Sequence, residues 1–426
     1  MLFRSLGQER FFGTPGCSGA CAALPGDCRD LDLRGTATDD EGRGLVVDAL
    51  GNVYVSGSTT GALDGQTLVG GMDNFLMKFT PDGAHAWTRQ WGTPMNEWAH
   101  GLAVDASGDI FVCGATSGAL DGQTSAGQHD LFLTRFAPDG TRRWTRQWGN
   151  AANQYAFQVA VDGSGNAYVT GYTEGDLDGQ TSAGSEDIFL TKFASDGTRL
   201  WTRQWGTGVN DGGAAVVAET GGTVYVTGTV TAALPGLSHA GSYDFFLTKY
   251  DTDGNWQWSR QLGTGGGDFA KDLALDPAGN ILLTGHTQQS LGGQTSAGDY
   301  DVFFTKYSPA GVRQFIRQWG NGNGDYSYGI AANSAGDVFV CGETQASLDG
   351  QPHQGMSDIF LTKFDVAGNK LWTRQWGTGN TDVGWSVGLD GAGNAYLTGY
   401  AKGALGGRTY SGGNDVFVIF SPAAWP

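Results

Sequence analysis

The sequence predicts an all-β fold, a seven-bladed β-propeller of four-stranded antiparallel blades, and three observations lead there. The hexapeptide Trp-Thr-Arg-Gln-Trp-Gly begins at Trp87, Trp144, Trp201 and Trp372, with weaker copies from Trp258 and Phe315. Its closing glycines, Gly92, Gly149, Gly206, Gly263, Gly320 and Gly377, stand 57 residues apart, and a fixed period of that length means one supersecondary unit stacked many times. Two further series have seven members at the same step: Asp73, Asp130, Asp187, Asp244, Asp301, Asp358 and Asp415, and Gly57, Gly114, Gly171, Gly228, Gly285, Gly342 and Gly399. The hexapeptide has only six regular copies after Gly35, because a seventh would start beyond residue 426. An N-terminal strand that completes the last blade closes the ring and removes the sheet edges of an open array. The alternative is an open β-solenoid, which neither the four strands per unit nor the N-terminal piece favours.

In chain order, residues 1–34 are the irregular part. Arg10-Phe11-Phe12-Gly13-Thr14-Pro15 matches Arg89-Gln90-Trp91-Gly92-Thr93-Pro94, so the closing strand is expected near 8–13, followed by an insertion over 14–34. The insertion holds Cys17, Cys21 and Cys28, which could make one loop disulfide with a thiol left over or contribute to a metal site, although their spacing matches no zinc pattern.

The repeating body runs over 35–426 as a single domain, and its second copy shows the parts. Leu102-Ala103-Val104-Asp105 is a strand, Ala106-Ser107-Gly108 a turn, and Asp109 to Gly114 the next strand. A long loop to His129 leads to a third strand from Asp130 to Phe136, and Pro138-Asp139-Gly140 turns the chain into the fourth, Arg143 to Trp148. Short alternating apolar runs punctuated by such turns are hairpin signals, and no window carries the period of a helix.

These motifs resemble the bacterial seven-bladed beta-propeller repeat, often called the SBBP repeat. The resemblance rests on Gly-Leu-Ala-Val-Asp-x-x-Gly-Asp-x-x-Val-x-Gly from Gly101, Asp-x-Phe-Leu-Thr-Lys-Phe from Asp187 and the hexapeptide, and it covers Gly35 to Phe420. It implies the propeller fold and an exported or surface-associated bacterial protein, hence an extracellular or cell-surface location. It implies no activity that transfers residue by residue. The opening MLFRSLGQERFFG has no apolar run of signal-peptide length, which sits uneasily with export.

Composition narrows the partners. Gly makes up 72 of 426 residues, more than twice the usual share of roughly 7%, and falls mostly at repeated turns. A net charge of −18 argues against nucleic acid and anionic membrane surfaces, which need basic patches. No run of 18 apolar residues exists to span a bilayer as a helix. A monomer is expected.

A charge demanded identically by every blade is expected to be scaffold. This covers the arginine series Arg10, Arg89, Arg146, Arg203, Arg260, Arg317 and Arg374, for which a bidentate carboxylate partner within each blade is the expected arrangement. Function is sought where the copies differ or converge on one rim. Five residues after each closing Gly stand Asp40, Glu97, Gln154, Asp211, Asp268, Asp325 and Asp382, just before the strand that lines the channel. The six acids would either hold a cation such as Ca²⁺ at the channel mouth or each cap its own loop. Three positions further on, Arg43, His100, Phe157, Ala214, Lys271, Tyr328 and Trp385 share nothing in charge or shape, as the residues of a binding surface do. Trp98, Tyr155, Phe269 and Tyr326 lie between the two rows and add aromatic faces suited to sugars and peptides.

Catalytic constellations are sparse. His85, His100, His129, His239, His286 and His353 show no metal-ligand spacing, and no nucleophile elbow stands out. His100 with Glu97, and Lys271 with Asp268, are the rim pairs that would serve as acid and base in a lyase or hydrolase. The reading reached is a non-catalytic binding or adhesion propeller that takes a carbohydrate or protein ligand on its loop-rich rim, with a propeller enzyme as the alternative.

Overall fold

The computed structural model describes residues 31–422. Short apolar runs broken by turns build seven four-stranded antiparallel sheets, whose second and third strands are buried almost throughout. Blade 1 runs outward as Asp40–Val47, Val53–Thr59, Asp73–Phe79 and His85–Trp91, and the same meander repeats through the following blades. The innermost strands touch their neighbours all the way round, the first against the last, so the ring is closed.

Closure uses the N-terminal chain. Leu31–Arg34 is the outer strand of blade 7 and pairs with Asp415–Ser421 in the register Leu31↔Ile419 to Arg34↔Val416. A second tie joins the two ends, where the amide N–H of Asp40 donates to the Asn414 carbonyl at 2.7 Å. The closing strand thus sits later than the 8–13 expected from the arginine motif; residues 8–13 lie outside the described residues, as do Cys17, Cys21 and Cys28. Leu31–Arg34 stands one whole period before the outer strand of blade 1, yet it carries Asp32 where that strand has Arg89. An outermost strand has a neighbour on one side only, so alternation suffices for it and residue identity can drift.

The core lies between blades. One cluster joins Phe111, Leu133 and Trp148 of blade 2 to Val159, Val169 and Phe189 of blade 3, and another joins Leu361 and Trp376 of blade 6 to Leu397, Phe417 and Leu31. Neither half could bury its apolar face alone, which is why the repeat must be stacked.

The repeated charges are scaffold, with one correction. Arg89, Arg146, Arg203, Arg260 and Arg317 take backbone carbonyls as partners, not carboxylates. Arg146 donates from Nε to the Gly197 carbonyl at 2.8 Å and from Nη2 to the Asp196 carbonyl at 3.1 Å, clasping the hairpin turn of the next blade. Arg89, Arg203, Arg260 and Arg317 do the same to their own neighbours. Each guanidinium lies over the aromatic ring two residues earlier, as Arg146 does over Trp144 at 5.2 Å. A turn offers two adjacent carbonyls that the sheet cannot use, and the planar fork fits them. The buried aspartates instead take the amide of the outer-strand glutamine, Gln147 to Asp130 at 2.7 Å, and a loop N–H, Ala126 to Asp130 at 2.7 Å.

The second-strand glycines are a matter of space. A Cβ on Gly228 would lie 1.9 Å from the Gly212 carbonyl oxygen, and the other six copies meet the corresponding oxygen at 1.8 or 1.9 Å.

Candidate functional site

Every innermost strand carries one irregularity at the same place. The register against the second strand skips at Arg43, His100, Phe157, Ala214, Lys271, Tyr328 and Trp385, where the ladder resumes one residue later, or two in blade 2. These are β-bulges, which leave a residue unpaired and re-aim its side chain. The most variable row in the sequence is therefore the bulge row, freed from the ladder and turned to the centre of the ring.

Around the ring these side chains meet. His100 packs edge-on against Phe157 with ring centres 5.3 Å apart, Tyr328 lies 4.2 Å from Trp385, and the Arg43 guanidinium covers Trp385 at 4.1 Å. Arg43 also pairs with Glu41, and the Tyr328 hydroxyl donates to Glu343 at 2.9 Å. Burial, helped by the Arg43 charge, drives the basicity of His100 down to about 3, so it is neutral at pH 7.

The aromatic row joins the same face in two groups. In blades 2 and 3, Trp98 lies 5.9 Å from Tyr155, which stacks on Phe157 at 6.4 Å and on Tyr172 at 5.4 Å, while the Tyr155 hydroxyl and His129 Nδ1 share a 3.0 Å hydrogen bond. In blades 4 to 6, Phe269 lies 5.0 Å from Tyr243 and 5.3 Å from His286, and Tyr326 lies 5.2 Å from Tyr300. Parallel bridges across the blade seams, His129↔Asn153 and Tyr300↔Gly324, bring the loop end of one blade beside the innermost strand of the next.

His129, Tyr172, Tyr243, His286, Tyr300 and Glu343 were not singled out from the sequence. They lie at two further periodic rows, the end of the second strand and the residue before the third, and aligning the copies there exposes the same divergence: Tyr172, His286 and Glu343 in one row, His129, Tyr243 and Tyr300 in the other.

The acidic row has a different fate. Asp40, Glu97, Asp211, Asp268, Asp325 and Asp382 are all buried, and each accepts the N–H of the residue four before it, as Glu97 does from Thr93 at 2.8 Å. Gln154 plays the same part toward Asn150 at 3.0 Å. Threonine hydroxyls complete several of the caps, Thr93 and Thr116 on Glu97, Thr264 and Thr287 on Asp268. Burial raises the pKa of all six acids, Asp325 to about 6. Among the described residues no three His, Cys, Asp or Glu side chains gather as metal ligands. The carboxylates of Glu97 and Asp268 are bonded within their own loops, and the structure does not bring them onto His100 or Lys271.

Just past the bulge row, neighbouring innermost strands approach closely. The next position holds Gly44, Gly101, Gln158, Ala215, Asp272, Gly329 and Ser386, and a Cβ on Gly101 would lie 2.6 Å from the Cα of Gln158. Asp272 accepts from the amides of Leu273 at 2.8 Å and, on the neighbouring blade, Ile330 at 3.0 Å. Burial lifts its pKa to about 7 against these hydrogen bonds and that of Gln158. A carboxylate raised in the folded state stabilises fully below its unfolded pKa, and that contribution is lost as pH rises through the folded value. The melting temperature of Asp272→Asn relative to the parent should therefore rise between pH 5 and pH 8. His100 and His286, whose depressed basicity works in the opposite direction below about pH 6.5, cancel in that comparison. An unchanged difference across the range would place the Asp272 pKa near its ordinary value. A cavity of about 420 Å³ lies at the seam of blades 6 and 7, lined by Gln354, Arg374, Trp376, Thr378 and Asn380 and by none of the rim residues above.

A match to a beta-propeller repeat agrees with this architecture. Residues 35–63, 143–178 and 257–292 match the SBBP beta-propeller repeat, so the chain carries that repeat in three stretches. The regulatory protein FlaEY of Caulobacter vibrioides is 28% identical over 368 residues, 74% of this chain and 37% of that protein. An uncharacterized WD repeat-containing protein of Acanthamoeba polyphaga mimivirus is 22% identical over 294 residues, 59% of this chain and 18% of its own. The chain thus spans well under half the length of these relatives. Among solved structures, the WD40 domain of Neurospora crassa Pan2 aligns with a TM-score of 0.49 and 10% identity over 93% of this chain and 97% of that one.

Proposed function

We propose that this propeller is a non-catalytic binding module that takes a carbohydrate or protein ligand on its loop-rich face. One observation carries the reading: seven bulges place seven unlike side chains at the channel mouth, and aromatic groups from neighbouring strands flank them. A scaffold this regular has no packing reason to vary at the bulge row and the rows beside it on one face, whereas recognition of an asymmetric ligand requires it. The names of the relatives, a regulatory protein and a WD repeat-containing protein, are in keeping with a binding role. The enzyme alternative needs its acids near His100 and Lys271, and the loop-bound positions of Glu97 and Asp268 do not favour it.

The test is the triple variant Trp98→Ala, Tyr326→Ala, Trp385→Ala, screened with the parent on an array of neutral and acidic oligosaccharides and immobilised peptides. The three rings are half-buried at the mouth and outside the interblade clusters, so the melting temperature should fall by only a few degrees. Ligands of the parent should lose at least tenfold in affinity, as loss of stacked aromatic area implies. Undiminished binding by the triple variant would remove the rim from consideration.

A further inference from the structure

Within that face, the seam of blades 5 and 6 differs from the rest. Lys271 is the bulge residue of blade 5, half-buried, with Nζ 5.7 Å from the centre of the Phe269 ring. Lys78, Lys192, Lys249, Lys306, Lys363 and Lys370 each reach a carbonyl or a carboxylate. Lys271 has no such partner among the described residues, and burial alone lowers its pKa. In a chain with a net charge of −18, an ammonium group withdrawn from water without a carboxylate beside it is a costly exception.

A second group points the same way. His286, at the end of the second strand of blade 5, is 6% exposed and its Nδ1 has no hydrogen-bond partner. Its ring lies 5.3 Å from Phe269, 5.4 Å from Tyr300 and 5.0 Å from Tyr326, and it is near enough to Lys271 to feel the ammonium charge. Buried polar atoms in folded proteins are almost always satisfied, so an orphaned ring nitrogen beside an orphaned cation calls for a ligand. The acids nearby are engaged or exposed: Asp268 caps its loop, Glu343 accepts from Tyr328, and Asp299 faces solvent.

The geometry points to a uronic acid: we infer that Lys271 receives the carboxylate of an acidic sugar, His286 bonds one of its ring hydroxyls, and Phe269, Tyr300 and Tyr326 support its C–H face. The inference rests on the rim-binding reading and deepens it. A sugar fits better than an acidic peptide for two reasons. The hydroxyls of Tyr243, Tyr300 and Tyr326 have no partner among the described residues, and they alternate with apolar ring faces as the hydroxyls and C–H faces of a pyranose do. The second and third strands that carry His286 and lead from Tyr300 are paired on both sides, so they offer no open edge to an extended peptide.

The probes are uronate trisaccharides (galacturonate, glucuronate and mannuronate), their methyl esters, which keep the shape and lose the charge, and hexaglutamate, titrated calorimetrically. The parent should bind at least one uronate, and its methyl ester should bind about tenfold to a hundredfold more weakly, the range of a charge-assisted hydrogen bond. Lys271→Met should show the same loss with an unchanged or higher melting temperature, and Lys271→Arg should retain most of the affinity. Equal binding of acid and ester, or full binding by Lys271→Met, would overturn the subsite and leave the rim reading in place as long as the triple aromatic variant still fails to bind. Preference for hexaglutamate, or binding of no uronate, would overturn the choice of an acidic sugar.

Discussion

Gly228→Ala should cost the protein about 4 kcal/mol, the range reserved for mutations that break a packed site, although it adds one methyl group. The added Cβ would stand 1.9 Å from the Gly212 carbonyl oxygen and 2.9 Å from the Ala214 amide nitrogen, both on the innermost strand at its bulge. Neither can retreat, because that strand is held by its partner on one side and by neighbouring blades on the other. Urea denaturation at constant m-value measures the loss. Gly221→Ala, where an added Cβ meets nothing within 4 Å, is the control and should stay within about 0.5 kcal/mol of the parent. A Gly228→Ala protein as stable as the control would mean that the two strands can separate at the bulge without penalty.

Removal of residues 1–34 should lower the melting temperature by about 5 °C or more and make the protein associate with rising concentration. The closing strand covers one edge of Asp415–Ser421 and places Leu31 against Phe417 and Ile419. Without it, the last blade presents a row of unpaired backbone groups beside an apolar face. A synthetic peptide of residues 29–36 added in excess should restore both melting temperature and monodispersity, which assigns the effect to this strand and not to the residues before it. A truncated protein that melts with the parent and stays monomeric would show that the ring is held by its inner contacts alone.

The fold was legible because its signals repeat. A turn, a buried aspartate or an interblade arginine that recurs at one spacing states its own importance, and the number of blades follows from counting. The closing strand was harder to place, since Leu31-Asp32-Leu33-Arg34 keeps the alternation of an outer strand and none of its signature residues, while Arg10-Phe11-Phe12-Gly13 keeps the signature. The arginine partners escaped for a related reason. A carboxylate is visible in a sequence as an acceptor for arginine, but two turn carbonyls of the next blade are not. At the site, the bulge row and its aromatic neighbours stood out through their diversity, and the structure supplies the cause in a skipped register. Two more rows, those of His286 and Tyr300, went unnoticed because they belong to other strands and join the first only where blades meet.

The bulge has one more consequence, for stoichiometry. Arrays of identical units usually bind in multiples, one ligand per unit, and gain strength through avidity. Here the scaffold repeats seven times while the residues it presents at the bulge do not repeat at all, so sevenfold symmetry in the backbone becomes asymmetry at the surface. On the proposed binding reading, the ring offers a given ligand a single orientation and acts as one receptor with seven independently exchangeable positions.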